Sequence, residues 1–165
     1  MTNTALPQDV TIITGAAGGM GSATSQAMVH AGRTNLILID LNAERLEAVA
    51  APLRKDGVRI EILAGNIADA GFPAQLLQAL GDRSIGDLVH TAGISPAMGT
   101  SEDVLSVNLD ATVRLVDAVA ERMASGSTAV LFASNSSYLP LPAEITAVFN
   151  APLPEAGAVS LAHTK

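Results

Sequence analysis

Five short runs of apolar residues predict the strands of a buried sheet. Each run is rich in leucine or β-branched residues and has few polar interruptions, which is typical of parallel strands that are covered on both faces. The runs extend from Val10 to Ile13, Leu36 to Ile39, Arg59 to Leu63, Asp87 to His90 and Thr128 to Ala133.

Between these runs, apolar residues recur at helical spacing. The predicted helices extend from Gly19 to Ala31, Ala43 to Lys55, Phe72 to Leu80 and Ser101 to Ala124. Asn42 is placed to cap the second helix, and Gly32 follows the first, where a left-handed residue is common. Alternating strands and helices form right-handed βαβ units. We therefore predict an α/β fold with a doubly wound parallel sheet, and a ligand site at the carboxyl ends of its strands.

The pattern changes after Ala133. Residues 134 to 157 hold four of the eight prolines, and proline removes a backbone donor and interrupts regular structure. We predict an irregular Pro-rich insert at about 135–157, in which the stretch around Val148 and Phe149 forms either a helical turn or a lid. A length of 165 residues fits a single domain, residues 1–165.

Composition limits the partners. Aromatic residues make up only 2% of the chain, so the core must be aliphatic. The net charge of -7 and the absence of a basic run argue against nucleic acid. With no cysteine there is no disulfide, thiolate metal site or cysteine nucleophile, and neither a membrane span nor a secretory pattern is present. These features predict a cytoplasmic protein with no nucleic-acid partner, no membrane partner and no metal site.

A glycine-rich segment from Thr14 to Gly21 joins the first predicted strand to the first predicted helix. Glycines allow a sharp turn through positive φ and leave out Cβ atoms that would obstruct a ligand, while the helix start offers unpaired N–H groups. A pyrophosphate fits such a place, although a flexible turn without a ligand is the alternative. The expected cofactor contacts here are Gly15, Ala17, Gly19, Met20 and Gly21.

An acidic residue, Asp40, ends the second predicted strand 19 residues after Gly21. This spacing is close to that of the acid that binds the adenosine ribose of a dinucleotide. Its carboxylate can accept hydrogen bonds from both ribose hydroxyls and would repel a 2′-phosphate, so we predict NAD rather than NADP, with Leu41 beside it as a further contact. Arg45 is a nearby cation that weakens this preference. A plain acid at a helix N-terminus is the alternative role for Asp40.

The order of these motifs resembles that of the short-chain dehydrogenase/reductase family. Gly15, Gly19 and Gly21 match the family's TGxxxGxG pattern. Ala92 and Gly93 match the end of its NNAG motif, which is written HTAG in this sequence, and are expected to contact the cofactor.

Further positions extend the resemblance along the chain. Asn108 matches the family's catalytic Asn, and Ser134, after the fifth predicted strand, matches its catalytic Ser. Asn66, followed by Ile67, stands where the family often has an Asp near the adenine. The resemblance therefore implies two catalytic residues and two further cofactor contacts.

The last six residues resemble the family's YxxSK motif only in part. In that family a tyrosine passes the proton, and a lysine four residues later lowers the pKa of the tyrosine and holds the nicotinamide ribose. Lys165 stands in place of this lysine, so both a catalytic and a cofactor-binding role are implied for it. Leu161 stands where the tyrosine belongs, and leucine cannot donate a proton. The only tyrosine, Tyr138, lies in the Pro-rich insert.

The resemblance implies a Rossmann-like fold and hydride exchange between NAD(H) and a ketone or secondary alcohol. The helix VSVNLDATVRLVDA and the long insert after the serine are most similar to bacterial 3α-hydroxysteroid dehydrogenase/carbonyl reductases, which implies a steroidal substrate. The family's sheet continues with further strands, so we expect C-terminal strands to be missing. Either the chain is an incomplete product of a longer reading frame, or it self-associates as a homo-oligomer that covers the exposed apolar faces. Because of Leu161, a catalytically impaired NAD-binding sensor or scaffold is the alternative, and an interaction protein without nucleotide is a third reading.

Overall fold

A five-stranded parallel sheet forms the centre of the molecule. The computed structural model describes residues 9–55, 57–134 and 140–163. The strands are β1 (Val10–Thr14), β2 (Asn35–Asp40), β3 (Arg59–Ala64), β4 (Ile85–His90) and β5 (Met123–Leu131). Their spatial order is β3-β2-β1-β4-β5, and every neighbouring pair is parallel. The chain therefore reverses its direction across the sheet between β1 and β4, which is where such folds bind ligands.

Helices cover both faces of the sheet, as predicted. They are α1 (Gly19–His30), α2 (Ala43–Ala50), α3 (Phe72–Leu80), α4 (Ser101–Leu105), a π-turn (Ser106–Asp110), α5 (Ala111–Ala120) and α6 (Ala143–Asn150), with 3₁₀ helices at Ala51–Leu53 and Ala158–His163. One apolar layer packs the sheet against α3 and α5, and the other packs it against α1 and α2. The doubly wound, Rossmann-like α/β fold is thus confirmed.

Two predicted helices are wrong in extent. The helix predicted from Ser101 to Ala124 is interrupted by the π-turn and ends at Ala120. The helix predicted from Ala43 to Lys55 ends at Ala50 and continues as a short 3₁₀ turn. Pro52 explains this second difference, because it has no N–H to donate within the helix. The predicted cap is confirmed, since the side chain of Asn42 accepts a hydrogen bond at the start of α2.

The fifth strand differs most from the prediction of Thr128 to Ala133. It begins at Met123, where the first pair with β4 forms, and the next pair forms only at Thr128. The residues between them bulge out, and Gly126 has a φ of +83°, which favours glycine. This polar, bulged segment breaks the apolar run from which a strand is predicted.

β5 is an edge strand and is exposed along most of its length. Val130 and Leu131 are 43% and 44% exposed, and Phe132, just after the strand, is 49% exposed. No strand follows β5 within the described ranges. Natural sheets usually cover such an edge. This exposed surface therefore favours the predicted homo-oligomer, which stays a prediction.

The Pro-rich insert contains a helix. Val148 and Phe149 lie in α6, which begins after Pro142, so the helical alternative for this stretch is correct and the segment is not irregular throughout. Among the helices of the described residues, none has the length and apolarity that crossing a bilayer requires.

Candidate functional site

A cleft of about 330 Å³ opens at the carboxyl ends of β1, β2 and β4. Its walls come from the glycine-rich loop after β1, the end of β2 with the start of α2, and the loops after β3 and β4. The predicted cofactor contacts that line it are Gly15, Asp40, Leu41, Ile67, Ala92 and Gly93. The fold thus brings together residues that lie far apart in sequence.

A second cavity, of about 270 Å³, lies at the opposite end of β4. Two of its charged lining residues are paired with each other, since Arg33 Nε lies 2.7 Å from a carboxylate oxygen of Asp87, which also accepts from Thr11 Oγ1 at 3.0 Å. Within the described ranges, no three His, Cys, Asp or Glu side chains are grouped to hold a metal ion. The cleft is therefore the candidate site.

Three of the four glycines in the loop, Gly15, Gly19 and Gly21, have different roles. Gly15 has a φ of +66°, and a Cβ there would lie 2.7 Å from the backbone nitrogen of Ala92. A Cβ on Gly21 would lie 2.1 Å from the carbonyl oxygen of Gly15. A Cβ on Gly19 would meet nothing within 4 Å apart from its chain neighbours and the backbone of its own helix. Gly15 and Gly21 therefore permit close backbone packing, whereas Gly19 leaves open space at the start of α1.

Four of the predicted loop contacts are not part of the cleft wall. They are Ala17, Gly19, Met20 and Gly21. Gly19 and Met20 lie in the exposed first turn of α1, where helix N–H groups are available to an anion. Ala17 and Gly21 are buried behind the loop surface. Their cofactor contacts stay predictions.

Both backbone hydrogen-bonding groups of Ala17 are engaged by side chains. Its N–H donates to Asp40 Oδ2 at 3.0 Å, and its carbonyl accepts from Arg45 Nη2 at 2.9 Å. The other carboxylate oxygen, Asp40 Oδ1, has only a 3.5 Å approach from the N–H of Asn42. Asp40 therefore supports the loop with one oxygen and keeps the second available at the cleft.

Sequence reasoning missed several cleft residues. Thr91 lines the cleft and anchors it, since its hydroxyl donates to the carbonyl of Thr14 at 2.7 Å. Met98 lines the cleft with 68% of its surface exposed, and Ile94 and Val107 complete the same wall. The position of Thr91 beside Ala92 was an available signal, whereas Met98 lies in a loop with no pattern to mark it.

Asn66 organises the turn after β3 instead of lining the cleft. Its Oδ1 accepts from the N–H of Ala68 at 3.0 Å, and its Nδ2 donates to Asp69 Oδ1 at 3.1 Å. The neighbouring Ile67 is the residue that lines the cleft. A contact from Asn66 to an adenine stays a prediction, and it would compete with this turn.

Asn108 lies in the π-turn and fastens the loop after β4. Its Oδ1 accepts from the N–H of Ile94, and its Nδ2 donates to the carbonyl of Ile94, both at 2.8 Å. The Asn108 carbonyl in turn accepts from Thr112 Oγ1 at 3.0 Å. The side chain is thus already engaged, and a π-turn at this point agrees with the frequent occurrence of such turns at functional sites.

Asp110 connects the same π-turn to the 3₁₀ helix Ala158–His163. Its carboxylate accepts from the N–H groups of Ala158 and Val159 at the start of that helix. The backbone of Leu161 lies in this helix. The structure thus joins the turn that carries Asn108 to the segment that precedes Lys165.

The remaining predicted catalytic residues are not assembled by the described contacts. Ser134 lies on the exposed segment after β5. Lys165 and Tyr138 lie outside the described residues. A shared catalytic geometry for Asn108, Ser134 and Lys165 therefore stays a prediction.

His90 is buried at the end of β4, with 2% of its surface exposed. Its Nδ1 lies 2.7 Å from Thr14 Oγ1, and its Nε2 lies 2.8 Å from Thr112 Oγ1. Burial lowers the pKa of His90 below its ordinary value near 6.5. His90 is therefore neutral at pH 7.

The charged groups around His90 are engaged elsewhere. The neighbouring strand β1 and residues 128–131 of β5 contain no ionisable side chain. Asp110 bonds to the start of the last 3₁₀ helix, Arg114 donates to the carbonyl of Ala68, and Asp87 pairs with Arg33 at the far end of β4. The lowered pKa thus has burial as its cause, and no nearby charge opposes it.

This burial makes stability depend on pH. Since the pKa of the folded state is below that of the unfolded state, only the unfolded chain takes up this proton as the pH falls below about 6.5, so the free energy of unfolding decreases. The loss should reach about 1.4 kcal/mol for each unit by which the pKa is lowered. Urea unfolding followed by circular dichroism between pH 5 and 8 measures it. His90→Asn should flatten this part of the profile, and an unchanged slope would contradict the assignment.

Comparison with known proteins agrees with this geometry. The family model of the short chain dehydrogenases matches residues 9–146. D-threitol dehydrogenase of Mycolicibacterium smegmatis is 34% identical over 143 residues, which cover 80% of this chain and 55% of that enzyme. The chain thus spans about half the length of this curated relative.

Solved structures share the same fold. A short-chain dehydrogenase/reductase of Brucella melitensis, described as a glucose/ribitol dehydrogenase, superposes with a TM-score of 0.71 at 30% identity, covering 81% of this chain and 60% of that chain. An alcohol dehydrogenase of Thermococcus sibiricus, solved with 5-hydroxy-NADP, has a TM-score of 0.68 at 24% identity, covering 81% and 61%, and shows the fold alone. The sequence match and the fold agree: this chain belongs to the short-chain dehydrogenase family.

Proposed function

We propose that the cleft binds NAD(H) and that the protein exchanges hydride with a ketone or secondary alcohol. Membership in a family of oxidoreductases supports the reaction class. The observation that carries the cofactor is the arrangement of Asp40 at the cleft wall beside a loop with open space at Gly19. When bound, the nicotinamide supplies or accepts the hydride.

The preference for NAD over NADP is argued from Asp40. Its Oδ1 is available to accept from the ribose hydroxyls, and its negative charge would repel a 2′-phosphate. Arg45 also lines the cleft, and its positive charge favours NADP. Its bond to the carbonyl of Ala17 uses only one of the five N–H donors of the guanidinium. The solved relative from Thermococcus sibiricus was complexed with an NADP analogue, so the fold accommodates that cofactor as well.

Replacing the carboxylate tests this preference. Asp40→Asn should weaken NAD binding about tenfold to a hundredfold, since hydrogen bonds to a charged group contribute about 1.5–3 kcal/mol. It should also reduce the discrimination against NADP. Calorimetric titration of NAD and NADP gives both affinities. Glu44→Gln, in the exposed first turn of α2, removes a similar charge outside the cleft and should change neither affinity. A variant that keeps its preference for NAD would contradict the role of Asp40.

For the substrate we propose an apolar carbonyl compound of the steroid class, in keeping with the resemblance to 3α-hydroxysteroid dehydrogenase/carbonyl reductases. The Pro-rich insert supports this choice, because it exposes apolar side chains after the fifth strand. They are Leu141, Ile145, Val148 and Leu153. The relative from Mycolicibacterium smegmatis is named for a polyol. An activity assay on a substrate panel that contains both 3-ketosteroids and polyols therefore distinguishes the two substrate classes. Faster turnover of polyols than of 3-ketosteroids would contradict the steroid class.

A second function is favoured by Leu161. A leucine at the position of the proton donor supports an NAD-binding sensor or scaffold without turnover. An NADH titration together with an assay of NADH consumption on several carbonyl compounds separates the two functions. Binding with consumption supports the oxidoreductase, whereas binding without consumption supports the sensor. The catalytic roles of Asn108, Ser134 and Lys165 belong to the oxidoreductase proposal. For either function we also propose a cytoplasmic location and a homo-oligomer.

A further inference from the structure

A chain of hydrogen bonds runs through the buried ring of His90. Ala92 N–H lies 3.2 Å from Thr14 Oγ1, which lies 2.7 Å from Nδ1 of the ring. On the other side, Nε2 lies 2.8 Å from Thr112 Oγ1, which lies 3.0 Å from the carbonyl oxygen of Asn108. The ring therefore links the cleft wall at Ala92 to the π-turn.

The groups at the two ends of this hydrogen-bond chain, the Ala92 N–H and the Asn108 carbonyl, set the direction of each hydrogen bond in it. The carbonyl of Asn108 can only accept, so the single hydroxyl proton of Thr112 points to it and Thr112 Oγ1 must accept from the ring. The N–H of Ala92 can only donate, so it gives its proton to Thr14 Oγ1. A neutral ring with its proton on Nε2 satisfies both ends, because Nδ1 then accepts the hydroxyl proton of Thr14.

The other protonation states of the His90 ring break this hydrogen-bond chain. With the proton on Nδ1, Nε2 would need the hydroxyl proton of Thr112, and the carbonyl of Asn108 would lose that donor. The hydroxyl proton of Thr14 would also lose its acceptor. A doubly protonated ring likewise leaves the hydroxyl proton of Thr14 without an acceptor. Thr14 is fully buried, so water cannot replace this acceptor and the folded state is destabilised.

We propose that His90 is held as the neutral tautomer with a proton on Nε2, and that it acts as a positioning residue for the π-turn that carries Asn108. Through Thr112 it holds the Asn108 carbonyl, while the side chain of the same residue fixes both backbone groups of Ile94 at the cleft. His90 itself does not line the cleft. This role belongs to the protein without cofactor and holds whether or not the proposed oxidoreductase function does.

Nitrogen NMR of the full chain at pH 7 tests the tautomer directly. Protonated and unprotonated ring nitrogens have well-separated ¹⁵N shifts, and the signal of His90 is assigned by its loss in His90→Gln. We expect a protonated Nε2 and an unprotonated Nδ1. A proton on Nδ1, or two ring protons, would overturn the proposal.

Amide hydrogen exchange of Ile94 tests the positioning role, since Asn108 Oδ1 accepts this N–H. In His90→Gln the side-chain amide can still donate a hydrogen bond from near the position of Nε2 to Thr112. In His90→Asn the shorter side chain places its amide near the position of Nδ1, where it reaches only Thr14. After normalisation to the slowest core amides, we expect exchange at Ile94 at least about tenfold faster in His90→Asn and within about threefold of wild type in His90→Gln. Equal exchange in the two variants would overturn the role.

A second pair of variants keeps the test independent of the ring. Thr112→Val removes the hydroxyl that connects His90 to Asn108 and should accelerate exchange at Ile94 in the same way. Thr146→Val is the matched control, because Thr146 makes the same bond to the carbonyl four residues earlier, on the exposed helix α6. No acceleration in Thr112→Val, or equal acceleration in both, would overturn the proposal.

Discussion

Alanine in place of Gly21 should destabilise the fold severely and abolish cofactor binding. Its Cβ would lie 2.1 Å from the carbonyl oxygen of Gly15 and 2.7 Å from the Cα of Ala16. Both are backbone atoms in a loop that packs closely against the backbone of Thr91 and Ala92, so neither can move aside as a side chain would. Overpacking of a core costs about 1–3 kcal/mol where side chains can adjust. With backbone on both sides, we expect a loss of about 3 kcal/mol or more in the free energy of unfolding.

Gly19→Ala is the matched control for this variant. Apart from its chain neighbours and the backbone of its own helix, nothing lies within 4 Å of a Cβ at that position, and alanine is the better helix former, so the fold should be retained. Cofactor affinity should nevertheless fall about tenfold or more, because the methyl group takes space that the pyrophosphate needs. Urea unfolding and calorimetric titration with NAD measure the two effects separately. Wild-type stability in Gly21→Ala, or wild-type affinity in Gly19→Ala, would contradict these roles of the glycines.

Leu161→Tyr should increase turnover of a carbonyl substrate by about a hundredfold to ten-thousandfold, the usual contribution of a positioned general acid. The backbone of residue 161 lies in the 3₁₀ helix that Asp110 anchors to the π-turn. By the resemblance of the last six residues to the family's YxxSK motif, a phenol introduced there takes the place of the family's tyrosine. The rate of NADH consumption, measured at saturating NADH with a panel of carbonyl compounds, gives the effect.

Leu161→Phe separates the hydroxyl from the ring. Phenylalanine adds the same aromatic volume without a proton to donate, so its turnover should stay at the level of the starting protein. NADH affinity, measured in parallel, should be similar in the two variants. If the tyrosine variant binds NADH and gains no turnover, the rest of the catalytic machinery is not poised in this chain, and the sensor or scaffold function is favoured.

The sequence predicted the parts of the fold that follow from a regular apolar period. The strands from β1 to β4 and the cap at Asn42 agree with the structure because each depends on local burial or on a local hydrogen bond. The prediction failed at the bulge of β5 and at the π-turn. Both are set by contacts with distant segments, for example that of Asn108 with Ile94, and such contacts leave no periodic signal.

For the candidate site, too, the sequence predicts some features and only the structure shows the others. The glycines and Asp40 could be proposed from the sequence because a phosphate and a ribose require particular residue types at a particular spacing. The contact of Arg45 with Ala17 and the engagement of Asn66 within its own turn depend on side-chain geometry across 28 and 3 residues, respectively. His90 was interpreted as a strand-end residue, and only the positions of Thr14 and Thr112 reveal what it connects.

The two hydrogen bonds to the backbone of Ala17 affect the free energy of cofactor binding. Asp40 and Arg45 keep the loop in one conformation before any dinucleotide arrives. The conformational entropy of these residues is therefore lost during folding, so little ordering remains to oppose association. The amide of Ala17 should already be protected from solvent exchange in the free protein, and binding should be limited by the encounter with the cofactor and not by a rearrangement of the loop.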